Sequence, residues 1–300
     1  MRLRRHSRTV VAMDTLVTAT AISELRAGYV RAELERALRW FCLVESACTR
    51  FDPRSEVSRL ASRPGTPVPV GPILFAATEV ALAVAAASGG AFDPTVGAAM
   101  QQRGYDRNYR TGARVRIAVT PAASWRDVVL DREAATILLR RALLLDLGAV
   151  AKGLAVDLAL GELTRFPGAV VEAGGDLRLR GTNERCEPWR VGVRDPRGDP
   201  GSVITPGDAA VCTSAGYARP ATDGGHHLLD PRSGESPTDV LSATAIAPTC
   251  AAADALATAA CVLGPAGGID LLEREQVEGV IVTRQGRRQT HNLGGLANAA

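Results

Sequence analysis

An α+β protein is predicted from three features of the 300-residue chain. Strand-like segments in the second half stand near hairpin distance from one another. Only four stretches read as helices, too few and too unevenly placed for a doubly wound parallel sheet. No internal repeat or low-complexity linker interrupts the chain, and 46% hydrophobic content is enough to bury a sizeable core. The expectation is one domain over residues 1–300, with lobes of 1–130 and 131–300 if it is divided at all.

Residues 10–22 alternate apolar and small polar side chains and predict a strand. Leu34, Ala37, Leu38, Phe41 and Val44 recur at helical spacing, so 30–47 is a helix. Residues 64–72 are a loop, and the Ala-rich run 73–87 is a buried helix stopped by Gly89-Gly90. Residues 101–126 are polar, Arg-rich and without period, and predict a surface excursion. A strand at 137–145, a helix at 150–163 and a strand at 169–172 follow, the last ending at Gly174-Gly175-Asp176. Further strands are expected around 177–179, 189–193, 209–213 and 242–247. Pro248-Thr249 opens a helix ending at Gly264, with Thr249 as N-cap.

Several function classes are excluded or unsupported. A net charge of +3 with no interleaving of aromatic and basic residues gives no case for nucleic acid. The basic run Arg2, Arg4, Arg5, Arg8 is expected to be a frayed terminus and lacks the apolar h-region of a signal peptide. No stretch approaches the roughly 20 apolar residues that span a bilayer, so no membrane span is expected. Six cysteines without C-x-x-C spacing read as core thiols of a reducing compartment, which places the chain in the cytoplasm. Phosphate-loop, dinucleotide-fold, zinc-protease and nucleophile-elbow motifs are all missing.

Two segments carry chemistry. Asp146-Leu-Gly-Ala-Val-Ala-Lys-Gly153 places a carboxylate at a strand end and Lys152 in the first turn of a helix, where amides and dipole favour anions. Gly148 and Gly153 leave room for a ligand to approach. Asp254 and Thr258 stand at i and i+4, one helix face, separated by roughly 6 Å of rise. Hard oxygen donors in so sparse a set suit Mg²⁺, which takes one or two carboxylates and completes its shell with phosphates. Plainer readings stand beside these: Asp254 as a surface residue with Thr258 back-bonded to a carbonyl, Lys152 as solvated, Asp146 as an N-cap, Asp93 as an Asx-turn residue. His227 reads either as a polar strand residue or as the central acid–base group.

The order of motifs is more specific than any one of them. Phe51-x-x-x-Ser-Glu-x-Ser-Arg-Leu60, Gly90-Ala-Phe-Asp-Pro-Thr-Val-Gly97, Asp146 to Gly153, Glu172-Ala-Gly-Gly-Asp176, Thr213-Ser214 with Tyr217 and Arg219, His227-Leu-Leu-Asp-Pro-Arg-Ser-Gly234 and Ala253-Asp-Ala-Leu-Ala-Thr258 follow in succession. This series, from about residue 13 to 282, resembles the ApbE family of flavin transferases, which move FMN from FAD onto a Ser or Thr of a target protein. The resemblance implies two interlocked lobes of mostly antiparallel sheet with packed helices and an FAD cleft between them. It implies Mg²⁺ held by Asp254, Thr258 and backbone oxygens near Ala149 and Ala257. FAD would be contacted by Met13, Phe51, Ala91, Phe92, Asp93, Asp146, Lys152 and Leu228, with Phe51 as a stacking surface. The target would carry an Asp-Gly-x-Ser/Thr-Gly-Ala-type motif. His227 or the metal-bound carboxylate Asp254 would take the proton of the target hydroxyl.

The chain departs from the family pattern at Asp14 (commonly Gly), Ala61 (commonly Asn), Ala215-Gly216 (commonly Gly and a polar residue) and Ala218 (commonly acidic). It also differs in lacking the export signal of many members. Two other functions remain open: an FAD pyrophosphatase with water as acceptor, and a non-catalytic FAD-binding protein.

Overall fold

Residues 10–22 form not one strand but most of a hairpin. β1 (Arg4–Ala12) and β2 (Thr15–Ser23) pair antiparallel with Val11 opposite Leu16. Met13 and Asp14 turn the chain at φ 50° and 61°. Two successive positive φ angles give the two-residue turn whose twist matches a hairpin, and Asp tolerates that region better than most residues. Arg4, Arg5 and Arg8 of the basic run therefore lie in an edge strand rather than a frayed end, and Arg2 precedes it. Arg5 lies 3.0 Å from Glu184 and Arg8 3.6 Å from Glu35.

The computed structural model describes residues 2–115, 123–198, 201–218, 225–295 and 297–298. After the hairpin come α1 (Ala27–Cys48), α2 (Glu56–Ala61), β3 (Val68–Pro69), α3 (Pro72–Ala87) and α4 (Gly97–Gln102). Next are β4 (Val128–Asp131), β5 (Thr136–Leu139), α5 (Gly148–Glu162), β6 (Gly168–Ala173) and β7 (Asp176–Gly181). The chain continues through β8 (Val191–Val193), β9 (Ser202–Ile204), β10 (Ala210–Ala215) and β11 (Ser242–Ala247). It closes with α6 (Cys250–Arg274), β12 (Glu278–Thr283), β13 (Gly286–Gln289) and β14 (Ala297–Asn298).

The central sheet has eight strands in the order β1-β2-β6-β7-β10-β11-β12-β13, every pair antiparallel. The α+β expectation holds. One core joins the sheet's inner face (Val17, Ala169, Val171, Ala243, Ala245) to α1, α3, α5 and α6. A second core lies on the outer face, where Leu179, Val211, Ile246 and Val280 meet Val191 and Ile204 of the small sheet β14-β9-β8. The strand expected over 137–145 is shorter. β5 ends at Leu139, paired with β3 and β4, and Leu143, Leu144 and Leu145 run on as buried loop, each 1% exposed.

Thr249 caps α6 as expected, accepting from the Ala252 N–H. The regular helix also breaks at Gly264, at φ 79° and ψ 179°. Pro265 then starts a second run, because proline suits a first helical turn where no N–H is needed. Its most apolar 18 residues have a mean hydropathy of 1.6, so α6 is long and apolar enough to cross a membrane, contrary to the sequence expectation. In this fold that composition serves packing: α6 lies against α5, β10, β11 and β12.

α5 and α6 approach unusually closely. A Cβ on Gly153 would stand 2.5 Å from the Cys250 carbonyl group, so this glycine makes room for a helix and not for a ligand. One turn further along α5, the Asp157 carboxylate accepts the N–H groups of Cys250 (2.8 Å) and Ala251 (3.0 Å) and pairs with Arg178 (2.9 Å). Asp157 thereby satisfies two helix-start donors and fixes the register of α6 on α5. Burial raises its pKa, against the lowering effect of those three donors.

The crowding predicts opposite outcomes for two glycines of the same helix. Gly153→Ala should destabilise by roughly 1–3 kcal/mol through overpacking. Gly161→Ala, with nothing within 4 Å of the new methyl, should stabilise by about 0.5–1 kcal/mol. Urea unfolding of both variants measures this, and similar effects at the two sites would contradict the packing account.

Candidate active site

The buried leucine run after β5 delivers Asp146 to the start of α5. Its Oδ1 accepts the Gly148 N–H at 3.0 Å and its Oδ2 accepts Arg50 Nε at 2.8 Å. The Arg50 guanidinium, 6% exposed, lies 4.2 Å from the centre of the Phe51 ring. Arg50 thus ties the candidate stacking surface to the carboxylate, a role the sequence reading missed. Asp146 is not the N-cap, which is Leu147; it precedes the cap and takes the Gly148 N–H while paired with Arg50.

One turn along α5, Lys152 Nζ donates to Asp254 Oδ2 at 2.9 Å and also contacts Asp176. Asp254 and Asp176 are each 5% exposed. Both plainer readings therefore fail. Asp254 is not a surface residue, and Lys152 is 21% exposed and held by two carboxylates. Asp176 follows the Gly174-Gly175 turn and accepts the Thr213 N–H of β10 at 2.9 Å. Thr258 does not back-bond as that reading expected; its hydroxyl pairs with Ser214 Oγ at 2.9 Å.

A sequence signal for this centre had been available. Of 35 basic residues, Lys152 is the only lysine. A compact ammonium fits between two carboxylates, whereas a planar guanidinium spreads its donors in a fixed fork. Burial alone would lower its pKa, but the Asp254 charge, followed by Cys212 and Cys250 nearby, raises it above 10.5.

These groups open into a cleft of about 630 Å³. Its wall contains Met13, Phe51, Ala91, Phe92, Asp93, Asp146, Ala149, Lys152, His227, Leu228, Asp254 and Thr258. Ala257 is not part of that wall and is fully buried in α6. Asp93 does make its Asx turn, accepting from Thr95 N at 2.8 Å, and it also accepts Trp125 N–H at 3.1 Å. His227 sits in a bend, not a strand. Of the altered segment, Tyr217 is 53% exposed, and Arg219 lies outside the described residues. Gly216 is required by contact, since a Cβ there would come within 2.6 Å of the His226 ring.

The donors suit a hard cation. Two buried carboxylates face one ammonium, and Asp14, Glu45, Asp93 and Asp146 line the same cleft with Arg50 and Arg107, so carboxylates outnumber the Lys and Arg side chains there. Among the described residues no three His, Cys, Asp or Glu side chains form a metal cluster. A divalent ion there would depend on ligand phosphates to complete its shell, as Mg²⁺ commonly does.

The family model for the ApbE family matches residues 13–281. The chain belongs to the ApbE family. A Treponema pallidum protein named FAD:protein FMN transferase is 33% identical, the match covering 88% of this chain and 80% of that protein. A Salmonella typhimurium protein of the same name is 30% identical over 91% of this chain and 83% of its own length. The crystal structure of the ApbE protein from Thermotoga maritima superposes with a TM-score of 0.85 at 29% identity, covering 99% of this chain and all of that one. The ApbE fold expected from the motifs is thus the fold present.

A single lysine makes the centre directly measurable. Because the folded pKa of Lys152 lies above the unfolded value, its ion pairs stabilise the fold below pH 10.5, and that contribution is lost as pH rises through the folded value. ¹⁵N-lysine labelling should give one side-chain signal titrating above 10.5, with a lower midpoint in Asp254→Asn. A midpoint at or below the ordinary lysine value would contradict the ion-paired arrangement.

Proposed function

We propose that this ApbE-family chain is an FAD:protein FMN transferase: it moves the FMN part of FAD to a Ser or Thr hydroxyl of a target protein and releases AMP. The names of its relatives support the activity. The observation that carries it is the Asp176–Lys152–Asp254 trio gathered in one cleft with Phe51 and Asp146. Asp254, Thr258 and the carbonyl of Ala149, which all line the cleft, would hold Mg²⁺, which supplies charge neutralisation at the pyrophosphate.

The chain's own residues then have distinct tasks. Lys152 has three N–H donors, and two go to Asp176 and Asp254, which leaves one for a phosphate oxygen. The Ala149 N–H, the first-turn amide of α5 not taken by Asp146 or Leu147, would add to that anion site. Phe51, backed by Arg50, offers a flat face to an aromatic ring of FAD. The target oxygen forms a bond to the FMN phosphorus as the bond from phosphorus to the AMP oxygen breaks, roughly in line. The hydroxyl proton leaves to His227 or to Asp254. Engagement of Asp254 with Lys152 favours His227, which lines the same cleft.

The proposed target bears an Asp-Gly-x-Ser/Thr-Gly-Ala-type motif, and the proposed compartment is the cytoplasm. All six cysteines are free thiols, including Cys212 and Cys250 with sulfurs 3.3 Å apart. A native disulfide in protein isolated without reductant would count against that compartment.

Incubation with FAD, Mg²⁺ and such a target, followed by intact mass, tests the activity. Wild type should add FMN to the target; AMP release without labelled protein would indicate a pyrophosphatase, and unchanged FAD a binding protein. Asp254→Ala should lower transfer by at least about 10²-fold while remaining folded, and Thr258→Val should be milder, since a hydroxyl is the weaker ligand. Near wild-type transfer by Asp254→Ala would refute the metal assignment. Lys152→Ala should weaken FAD more than riboflavin, because the lysine's partner is phosphate; equal losses measured by flavin fluorescence would point to collapse of the site.

A further inference from the structure

We propose that Asp176 is a positioning residue that shares Lys152 with the metal-binding carboxylate, so that a bound cation need not compete with an ion pair that Asp254 holds alone. The inference rests on the assignment of Asp254 as metal ligand made above. Lys152 stands between two carboxylates that differ in what else they touch. Asp176 is anchored from behind, its second oxygen accepting the Thr213 N–H at 2.9 Å. Asp254 sits on α6 one turn before Thr258, facing the cleft.

An ammonium and a divalent cation compete for the same carboxylate lone pairs. Lys152 already donates to Asp254 at 2.9 Å; were Asp254 its sole acceptor, that ion pair would neutralise the only side-chain carboxylate assigned to the metal. Asp176 supplies the alternative partner. It lets Lys152 remain charged and close to the phosphates while Asp254 keeps its charge for the cation. The β10 backbone holds this arrangement in place, because Thr213 anchors Asp176 and the next residue, Ser214, pairs with Thr258 at 2.9 Å.

An influence exerted through Lys152 must vanish when the lysine is removed. A simple attraction between Asp176 and the cation would persist. The double-mutant cycle of Asp176→Asn and Lys152→Met separates the two. Metal affinity is read as loss of the free Mn²⁺ EPR signal in each variant, with FAD saturation verified by flavin fluorescence. Asp176→Asn should raise the Mn²⁺ half-saturation by roughly tenfold in the wild-type background, and by less than about twofold in the Lys152→Met background. Added Mn²⁺ should restore the rate of Asp176→Asn, which a merely structural defect would not allow. If Asp176→Asn fails to fold, Asp176→Ser, which can still accept from Thr213, carries the same expectation. A change under about twofold in the wild-type background, or an equal loss in both backgrounds, overturns the proposal. Asp254→Ala is the separate control: if it binds Mn²⁺ as wild type does, the metal assignment falls and this inference with it.

Discussion

The contact between Lys152 and two buried carboxylates is the constraint around which the rest of the molecule is arranged. A buried ion pair stabilises only when its geometry is good and its remaining donors and acceptors are satisfied. Here each member is supplied by a different element: Lys152 by α5, Asp176 by β7 and Asp254 by α6. Bringing them together requires α5 and α6 to pack at backbone distance, which Gly153 permits. It also requires α6 to be fixed lengthwise, which Asp157 does through the Cys250 and Ala251 amides. The eight-stranded sheet provides the flat support, with β10 contributing both the amide that orients Asp176 and the serine that meets Thr258.

The proposed transfer suits such a site. A phosphoryl transfer whose nucleophile belongs to the other protein needs positioning and charge stabilisation, not a nucleophile of its own. The cleft offers an aromatic face, a helix start, one ammonium and a surplus of carboxylates. Each component is weak in isolation. Held within one cavity of about 630 Å³, they are the groups that the proposed transfer would use on a pyrophosphate and a cation.

Much of this was legible in the sequence, for identifiable reasons. Helices α1, α3 and α5 declared themselves by apolar period or by Gly and Pro punctuation, and the Thr249 cap and Gly264 break of α6 were both visible. The first strand was lost because Met13-Asp14 is a hairpin turn without a glycine, so the alternation ran through it unbroken. β4 and the short helices α2 and α4 were missed because four to six residues carry little period. Motif order singled out residues most of which the structure gathers around one cleft, but their mutual contacts were not visible. Asp176 lay in a quoted motif without a role, and Arg50 in none, because what they do depends on partners 24 and 96 positions away. The solitary lysine was the one overlooked signal that pointed to the centre of the site.

Anomalous diffraction from crystals grown with FAD and Mn²⁺ tests this account most directly. The prediction is one Mn²⁺ peak within coordination distance of Asp254 and Thr258, bridged to the FAD pyrophosphate, with Lys152 resting on Asp176. A metal bound elsewhere in the cleft, or FAD bound with its phosphates away from Lys152 and the start of α5, would contradict it.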